Sequence, residues 1–230
     1  MNEFEPTFRF KRFGISDRRC GMKVGTDGVV LGAWAECGVR AGKILDVGAG
    51  CGVIALMMAQ RYPEAEITAV EIDPGAADEM RVNVAHSPWE GRIAVVNGDF
   101  RDVEGRFDLI VSNPPFFVNG DIAPDEARAK ARHADSLSPL SLIEFAATHL
   151  EPEGRLAMIV PVESSADVEA QAAFARLSVA KRVELATSRR RGVTRVLWEL
   201  SPSPTPLETG TMAVGDEKYV GLTKDFYLHY

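Results

Sequence analysis

The chain has 230 residues, 46% hydrophobic and 26% charged, with a formal net charge of −7. That length suits one large α/β domain with a full core, no apolar run approaches the roughly 20 residues of a membrane-spanning helix, and the acid excess argues against nonspecific nucleic-acid binding over the whole surface. The start, Met1-Asn2-Glu3-Phe4-Glu5-Pro6, lacks a signal-peptide pattern, and Cys20, Cys37 and Cys51 are an odd set without metal-ligand spacing, which reads as cytosolic free thiols.

In chain order, a segment over 1–40 precedes the first core strand and is expected to fold over the ligand side as a lid or cap, with a helix at Asp27–Glu36. The core, 41–200, alternates short apolar strands with helical stretches, the pattern of a mainly parallel sheet with helices on both faces. Strands are predicted at Lys43–Val47, Glu66–Glu71, Ile93–Val96, Phe107–Ser112, Arg155–Val160, Lys181–Ala186 and Val193–Leu200. Helices are predicted at Gly52–Arg61, Gly75–Ala85, Leu140–His149 and Ser165–Arg176. The first of these is apolar almost all round (Val53 to Ala59), which marks it as buried. The last two strands have no helix between them, so they form an antiparallel edge hairpin, and the sheet has seven strands. Prolines at 202, 204 and 206 end the last strand, because proline cannot continue a ladder. The tail, 201–230, carries Tyr219, Phe226, Tyr227 and Tyr230 and is expected to pack on the body.

The strongest local signal is Asp46-Val47-Gly48-Ala49-Gly50-Cys51-Gly52, between a strand and a helix. Glycines let a backbone turn tightly and approach a ligand closely, and this turn lies where open α/β sheets bind nucleotides. Glu71 ends the second strand, where a carboxylate can accept both ribose hydroxyls of an adenosine. The dinucleotide fingerprint spaces its glycines to seat a pyrophosphate on the helix N-terminus. Here Gly48-x-Gly50-x-Gly52 misses that spacing by one residue, and Asp46 would repel phosphates but attract the amino group of a methionine moiety. S-adenosylmethionine therefore fits better than a dinucleotide. Asp99, after the third strand, can accept from the cofactor's adenine or can cap a helix; both readings stay open.

Asn113-Pro114-Pro115-Phe116 follows the fourth strand, which in such sheets lies beside the first. Two prolines fix the backbone and make a rigid mount for two acceptors, the Asn113 side-chain oxygen and the Pro114 carbonyl. Placed on the two N–H bonds of a planar amine, they would draw its lone pair out of conjugation and toward a sulfonium methyl. Phe116 would stack on a flat substrate, and Phe117 either stacks or joins the core. No strong base is required, so His133 is not needed in that role.

The motifs Asp46–Gly52, Glu71, Asp99 and Asn113–Phe116 resemble those of the Rossmann-like class I methyltransferases that modify amino groups. Met22–Trp34, Ser87-Pro88-Trp89, Asn113–Phe117, Ala131-Arg132-His133 and Lys224–Leu228 are similar, more narrowly, to the bacterial tRNA1(Val) adenine-37 N6-methyltransferase family. The resemblance covers nearly the whole chain. It implies a cytoplasmic enzyme that uses S-adenosylmethionine to methylate an adenine of a valine tRNA, with no metal, no membrane and a monomeric state favoured. It places Lys23, Thr26 and Asp27 at the cofactor, where Thr26 also reads as a helix cap, and leaves Asn113 bordering cofactor and substrate alike. It assigns Pro115, Phe117, Arg132 and His133 to the substrate side, although a mobile charged loop explains Arg132 and His133 equally.

The same acceptors would serve a glutamine-amide methyltransferase, but those enzymes usually carry tyrosine after the prolines and a helical N-terminal domain. An rRNA guanine methyltransferase commonly has a second, duplicated domain. A noncatalytic nucleotide-binding or RNA-binding protein would keep the fold and show no transfer. Unpaired RNA loops suit a base-modifying enzyme, since their bases can be splayed out. Basic residues at Arg9, Lys11, Arg12, Arg18, Arg19 and 189–191 are then candidate phosphate contacts, or simply solvated surface.

Overall fold

A computed structural model describes residues 4–37, 42–115, 137–187 and 192–228. The ten strands are β1 (Phe8–Arg9), β2 (Gly14–Ile15), β3 (Lys43–Val47), β4 (Glu66–Glu71), β5 (Ile93–Asn97), β6 (Phe107–Ser112), β7 (Leu150–Pro161), β8 (Ser178–Ala186), β9 (Val193–Ser201) and β10 (Glu208–Ala213). The helices are α1 (Thr26–Trp34), α2 (Val53–Arg61), α3 (Pro74–Ala85), α4 (Pro139–His149), α5 (Ser165–Phe174) and α6 (Glu217–Thr223). Strands β1 and β2 pair only with each other, and the other eight form one sheet in the order β10-β8-β9-β7-β6-β3-β4-β5. Within that sheet β9 alone runs antiparallel to its neighbours.

The sheet has eight strands, not the seven expected. After the prolines, Glu208–Ala213 returns as an outer strand parallel to β8, from Glu208↔Lys181 to Ala213↔Ala186. Only Met212 of its six residues is buried. An edge strand with one buried side chain has almost no period-two apolar signal, which is why the segment reads as tail. The antiparallel β8–β9 pair is present, one strand in from that edge.

Two buried clusters flank the sheet. One holds the N-terminal segment, α1, α2, α3 and α6; the other holds α4 and α5. Helix α2 is buried from Val53 to Ala59 because it packs on β3, β4 and β5 with α1 alongside it. Gly28 and Gly32 allow that approach: a Cβ at Gly32 would lie 2.7 Å from Met57 Sδ. Arg61 closes the far end by donating to the Gly32 and Ala35 carbonyls, at 3.0 and 2.5 Å. The two helices therefore run side by side in the same direction, from the carboxyl ends of the strands to the amino ends. The N-cap of α1 is Gly25, in extended geometry, and Thr26 is already its first helical residue. The expected threonine cap is thus displaced by one position.

Glu79 holds the N-terminal segment to α3. It is only 5% exposed and accepts from Ser16 Oγ, Arg18 N and Arg19 N at 2.6, 2.9 and 2.6 Å. Burial opposes its ionisation, but those donors hold its carboxyl below the usual glutamate value. Asn83, one turn on, donates to the Ser16 and Cys51 carbonyls at 2.8 and 2.9 Å, tying the same segment to the glycine loop. The C-terminal segment meets it as well: Lys11 N donates to Phe226 O at 2.8 Å.

Candidate active site

The turn from β3 into α2 is built on left-handed backbone at Gly48, Gly50 and Gly52, with φ of +67°, +56° and +84°. That region is costly for residues with a Cβ. The three differ in what surrounds them. A Cβ at Gly48 would lie 2.5 Å from Leu137 Cδ2, and one at Gly52 would lie 2.8 Å from Met80 Cγ, whereas one at Gly50 would meet nothing within 4 Å. Gly48 and Gly52 are therefore fixed by packing, and Gly50 faces open space. Glu71 grips the loop, since its Oε2 accepts from Gly50 N at 2.8 Å while its Oε1 accepts from Asp73 N at 2.9 Å. Each carboxylate oxygen keeps further acceptor capacity.

Asp46 is fully buried, with Oδ2 accepting from Ala55 N in the first turn of α2 at 2.9 Å. Burial pushes its carboxyl up to about 7; Glu71 adds to the rise and the Ala55 N–H opposes it. Its Oδ1 has no hydrogen-bond partner among the described residues. A buried acceptor without a partner costs stability unless something supplies a donor.

Asp99 caps the short helical turn Phe100–Asp102 through Arg101 N at 3.0 Å, and its carboxylate also pairs with the Arg101 guanidinium. Hydrogen bonds from Arg101 hold its pKa below the ordinary aspartate value. The cap is therefore present in the structure. The same residue lines a narrow cleft with Gly48, Ile72, Phe100 and Leu137.

Strand β6 delivers Asn113-Pro114-Pro115 beside the glycine loop, because β3 and β6 pair in parallel up to Asp46↔Val111. One residue on, Ser112 Oγ donates to Val47 O at 2.8 Å, fully buried. Pro114 is buried, and Asn113 and Pro115 are half-buried. Asn113 Oδ1 is buried and, among the described residues, unpartnered. Phe116, Phe117, Arg132 and His133 lie outside the described residues.

Asp46, Gly48, Gly50, Gly52, Glu71, Asp99, Asn113 and Pro114 thus converge at the carboxyl ends of β3 to β6. The residues of the α1 region are placed differently. Lys23 Nζ donates to the Asp17, Arg18 and Cys20 carbonyls at 2.5, 3.2 and 3.4 Å. Thr26 is exposed. Asp27 accepts from Arg195 Nε of β9 at 2.8 Å, two strands beyond β6. Ser112 and Leu137, which border the candidate site, and Arg195, which pairs with Asp27 away from it, are residues that sequence reasoning missed. A serine ending a buried strand just before Asn113 was a usable signal; Leu137 and Arg195 offered none. Among the described residues no group of three or more His, Cys, Asp or Glu side chains could hold a metal, and no helix is long and apolar enough to cross a membrane.

The methyltransferase small domain model matches residues 34–184. A relative from Porphyromonas gingivalis is 42% identical over 96% of this chain and 94% of its own length, and one from Trichodesmium erythraeum is 41% identical over 97% and 98%; both carry the name tRNA1(Val) (adenine(37)-N6)-methyltransferase. Among solved structures, a predicted O-methyltransferase from Agrobacterium tumefaciens aligns with a TM-score of 0.66 at 19% identity over 87% of this chain and 96% of that one, a likeness of fold. The chain belongs to the methyltransferase small domain family and, by its full-length relatives, to the tRNA1(Val) (adenine(37)-N6)-methyltransferases.

Proposed function

We infer that this protein transfers a methyl group from S-adenosylmethionine to N6 of an adenine in tRNA, adenine 37 of tRNA1(Val). The observation that carries the reading is Asn113 Oδ1: a buried acceptor without a partner, on a proline-fixed loop tied to the glycine loop. An exocyclic amine is a poor nucleophile because its lone pair is delocalised. Asn113 Oδ1 and the Pro114 carbonyl would accept its two N–H bonds, localise that lone pair, and stabilise the positive charge that develops on nitrogen. The proton then leaves to water, so no side-chain base is assigned. Phe116 and Phe117 are proposed to stack on the base, with Pro115, Arg132 and His133 on the substrate side.

The residues present fit the cofactor. Asp46 Oδ1 is a buried acceptor awaiting a donor such as the methionine ammonium, and Gly50 leaves room for a ligand to approach its backbone. Glu71 would take the ribose hydroxyls, and Ile72, Asp99 and Leu137 would bound the adenine. When bound, S-adenosylmethionine supplies an electrophilic methyl on sulfonium. Lys23, Thr26 and Asp27 are assigned to the border of this site. The proposal further holds that the chain acts as a single methyltransferase domain, with 1–40 as a cap and 201–230 as a packed tail, and works in the cytoplasm as a monomer.

The test is incubation with methyl-labelled S-adenosylmethionine and total tRNA from a strain that lacks the modification. Label should appear as N6-methyladenosine in tRNA1(Val); label confined to protein would overturn the reading.

A further inference from the structure

The basic residues expected to touch RNA are not equivalent. Arg18 lies 3.8 Å from Glu5, and Arg19 lies 3.8 Å from Asp78, so carboxylates partly neutralise both. Lys11 and Arg12 are placed otherwise. Lys11 Nζ donates to the Lys224 carbonyl at 2.6 Å, and the Arg12 guanidinium sits 5.3 Å from the centre of the Trp89 ring. Neither contact cancels charge. The fold brings a third cation to them: Arg61, held by the carbonyls that end α1. Together with Gln60, Asp225 and Phe226, these three cations line a groove of about 440 Å³ between the N-terminal segment, the end of α2 and the C-terminal segment. Asp225 is the acid in that lining, against three cations, in a chain whose net charge is −7.

We propose that this groove docks the phosphodiester backbone of the RNA substrate, away from the reactive loop. The inference rests on the tRNA reading above. The groove lies at the amino-end side of the sheet, beside the end of α2, whose start adjoins the glycine loop. Nine helical residues from Val53 to Arg61 span about 12 Å at 1.5 Å per residue. Helices α1 and α2 are themselves buried, so an RNA stem whose loop reaches the reactive residues would pass over the surface that covers them to place its backbone in the groove. Concentrating cations there lets an acidic protein hold a polyanion locally without a broadly basic surface.

The test compares wild-type protein with the double variant Lys11→Gln/Arg12→Gln, using full-length tRNA and an isolated anticodon-loop oligonucleotide. For full-length tRNA, KM should rise about tenfold, and the slope of log affinity against log salt should become shallower by roughly 1.5, as for two lost phosphate contacts. The maximal rate, S-adenosylmethionine affinity and Tm should hold, and the short oligonucleotide should be affected less. Unchanged KM and salt slope with tRNA would overturn the proposal, as would an equal loss of cofactor affinity, which would mark the pair as structural. If the wild type binds tRNA but methylates some other acceptor, the tRNA methylation reading fails, while the salt slope of binding still decides the groove.

Discussion

Ser112 Oγ donates to the carbonyl of Val47 at 2.8 Å, across 65 residues of sequence and in full burial. Val47 immediately precedes the glycine loop and Ser112 immediately precedes Asn113. Parallel pairing of β3 and β6 stops at Asp46↔Val111, so this side-chain bond extends the junction by one residue, to where the two loops diverge. It fixes the Asn-Pro-Pro segment, the proposed acceptor loop, against the glycine loop proposed to hold the cofactor. Two reactants aligned in that way gain rate through positioning, and a displacement of about 1 Å can cost on the order of 100-fold.

Ser112→Ala should therefore lower Tm and slow transfer together. Leaving a buried carbonyl without its donor costs about 1–3 kcal/mol, which for a chain of this size is a Tm loss of roughly 2–10 °C. The maximal rate should fall at least tenfold while S-adenosylmethionine affinity, by calorimetry, changes little. A lowered Tm with an unaltered rate would show that the bond serves the fold alone. Asn113→Ala gives the complementary pattern: Tm within about 2 °C of wild type, and a rate about 100–1,000-fold lower, the scale for removing one preorganised polar group.

The core of the fold and the heart of the site were legible because their signals are local. Glycine spacing, a strand-ending glutamate and an Asn-Pro-Pro run are each read within a few residues, and β3 to β6 follow from short apolar runs. What escaped depends on partners far away. Asp27 and Arg195 are 168 positions apart, so nothing near either one announces their ion pair. Glu79 takes its four donors from residues of the N-terminal segment 59 to 63 positions away. Strand β10 carries a single buried side chain and so lacks alternation. Asp46 was legible as a candidate carboxylate for the cofactor, but not as the support of the first turn of α2 through Ala55 N.

That double role gives Asp46 a pH signature. With its folded pKa raised to about 7 by burial and Glu71, the native protein retains a proton that the unfolded chain releases near pH 4. Its contribution to stability is fully present below about pH 4 and is lost as pH rises toward 7. The cofactor's ammonium needs the opposite, ionised form. Affinity for S-adenosylmethionine should fall as pH drops from 8 to 6, with proton release on binding near pH 6, measured by calorimetry in buffers of different ionisation enthalpy. Asp46→Asn should remove the proton release and weaken binding at pH 8 at least tenfold. Binding that stays level from pH 6 to 8 in the wild type would refute the ammonium assignment.

Glu199 provides a similar titration away from the site. It is 4% exposed, and burial pushes its carboxyl up to about 7, although the Glu36 N–H at 3.0 Å and the Lys181 charge oppose the rise. Its contribution to stability is therefore lost as pH rises from about 4.5 toward 7 and the charge is fully buried above that. Glu199→Gln retains an oxygen for the Glu36 N–H and has no charge to bury. At pH 8 it should be more stable by on the order of 2 kcal/mol, with little difference at pH 5 and unchanged methyl transfer. Equal gains at the two pH values would point to packing rather than ionisation.

The glycine loop allows stability and ligand binding to be separated one residue apart. Gly48 and Gly50 both have positive φ, so alanine at either should cost about 1–2 kcal/mol in backbone strain. At Gly48 the new methyl would also collide with Leu137, 2.5 Å away, and displace a side chain that lines the cleft beside Asp99. Overpacking of that kind adds about 1–3 kcal/mol, so Gly48→Ala should lower Tm by roughly 5–15 °C. At Gly50 the methyl meets open space. Gly50→Ala should lower Tm only by about 2–6 °C, yet weaken S-adenosylmethionine binding at least tenfold, because the space it fills is the one assigned to the ligand. Thermal unfolding with and without the cofactor reads both effects: Gly50→Ala should lose most of the cofactor-induced rise in Tm. If it keeps the full rise, the cofactor does not lie against Gly50.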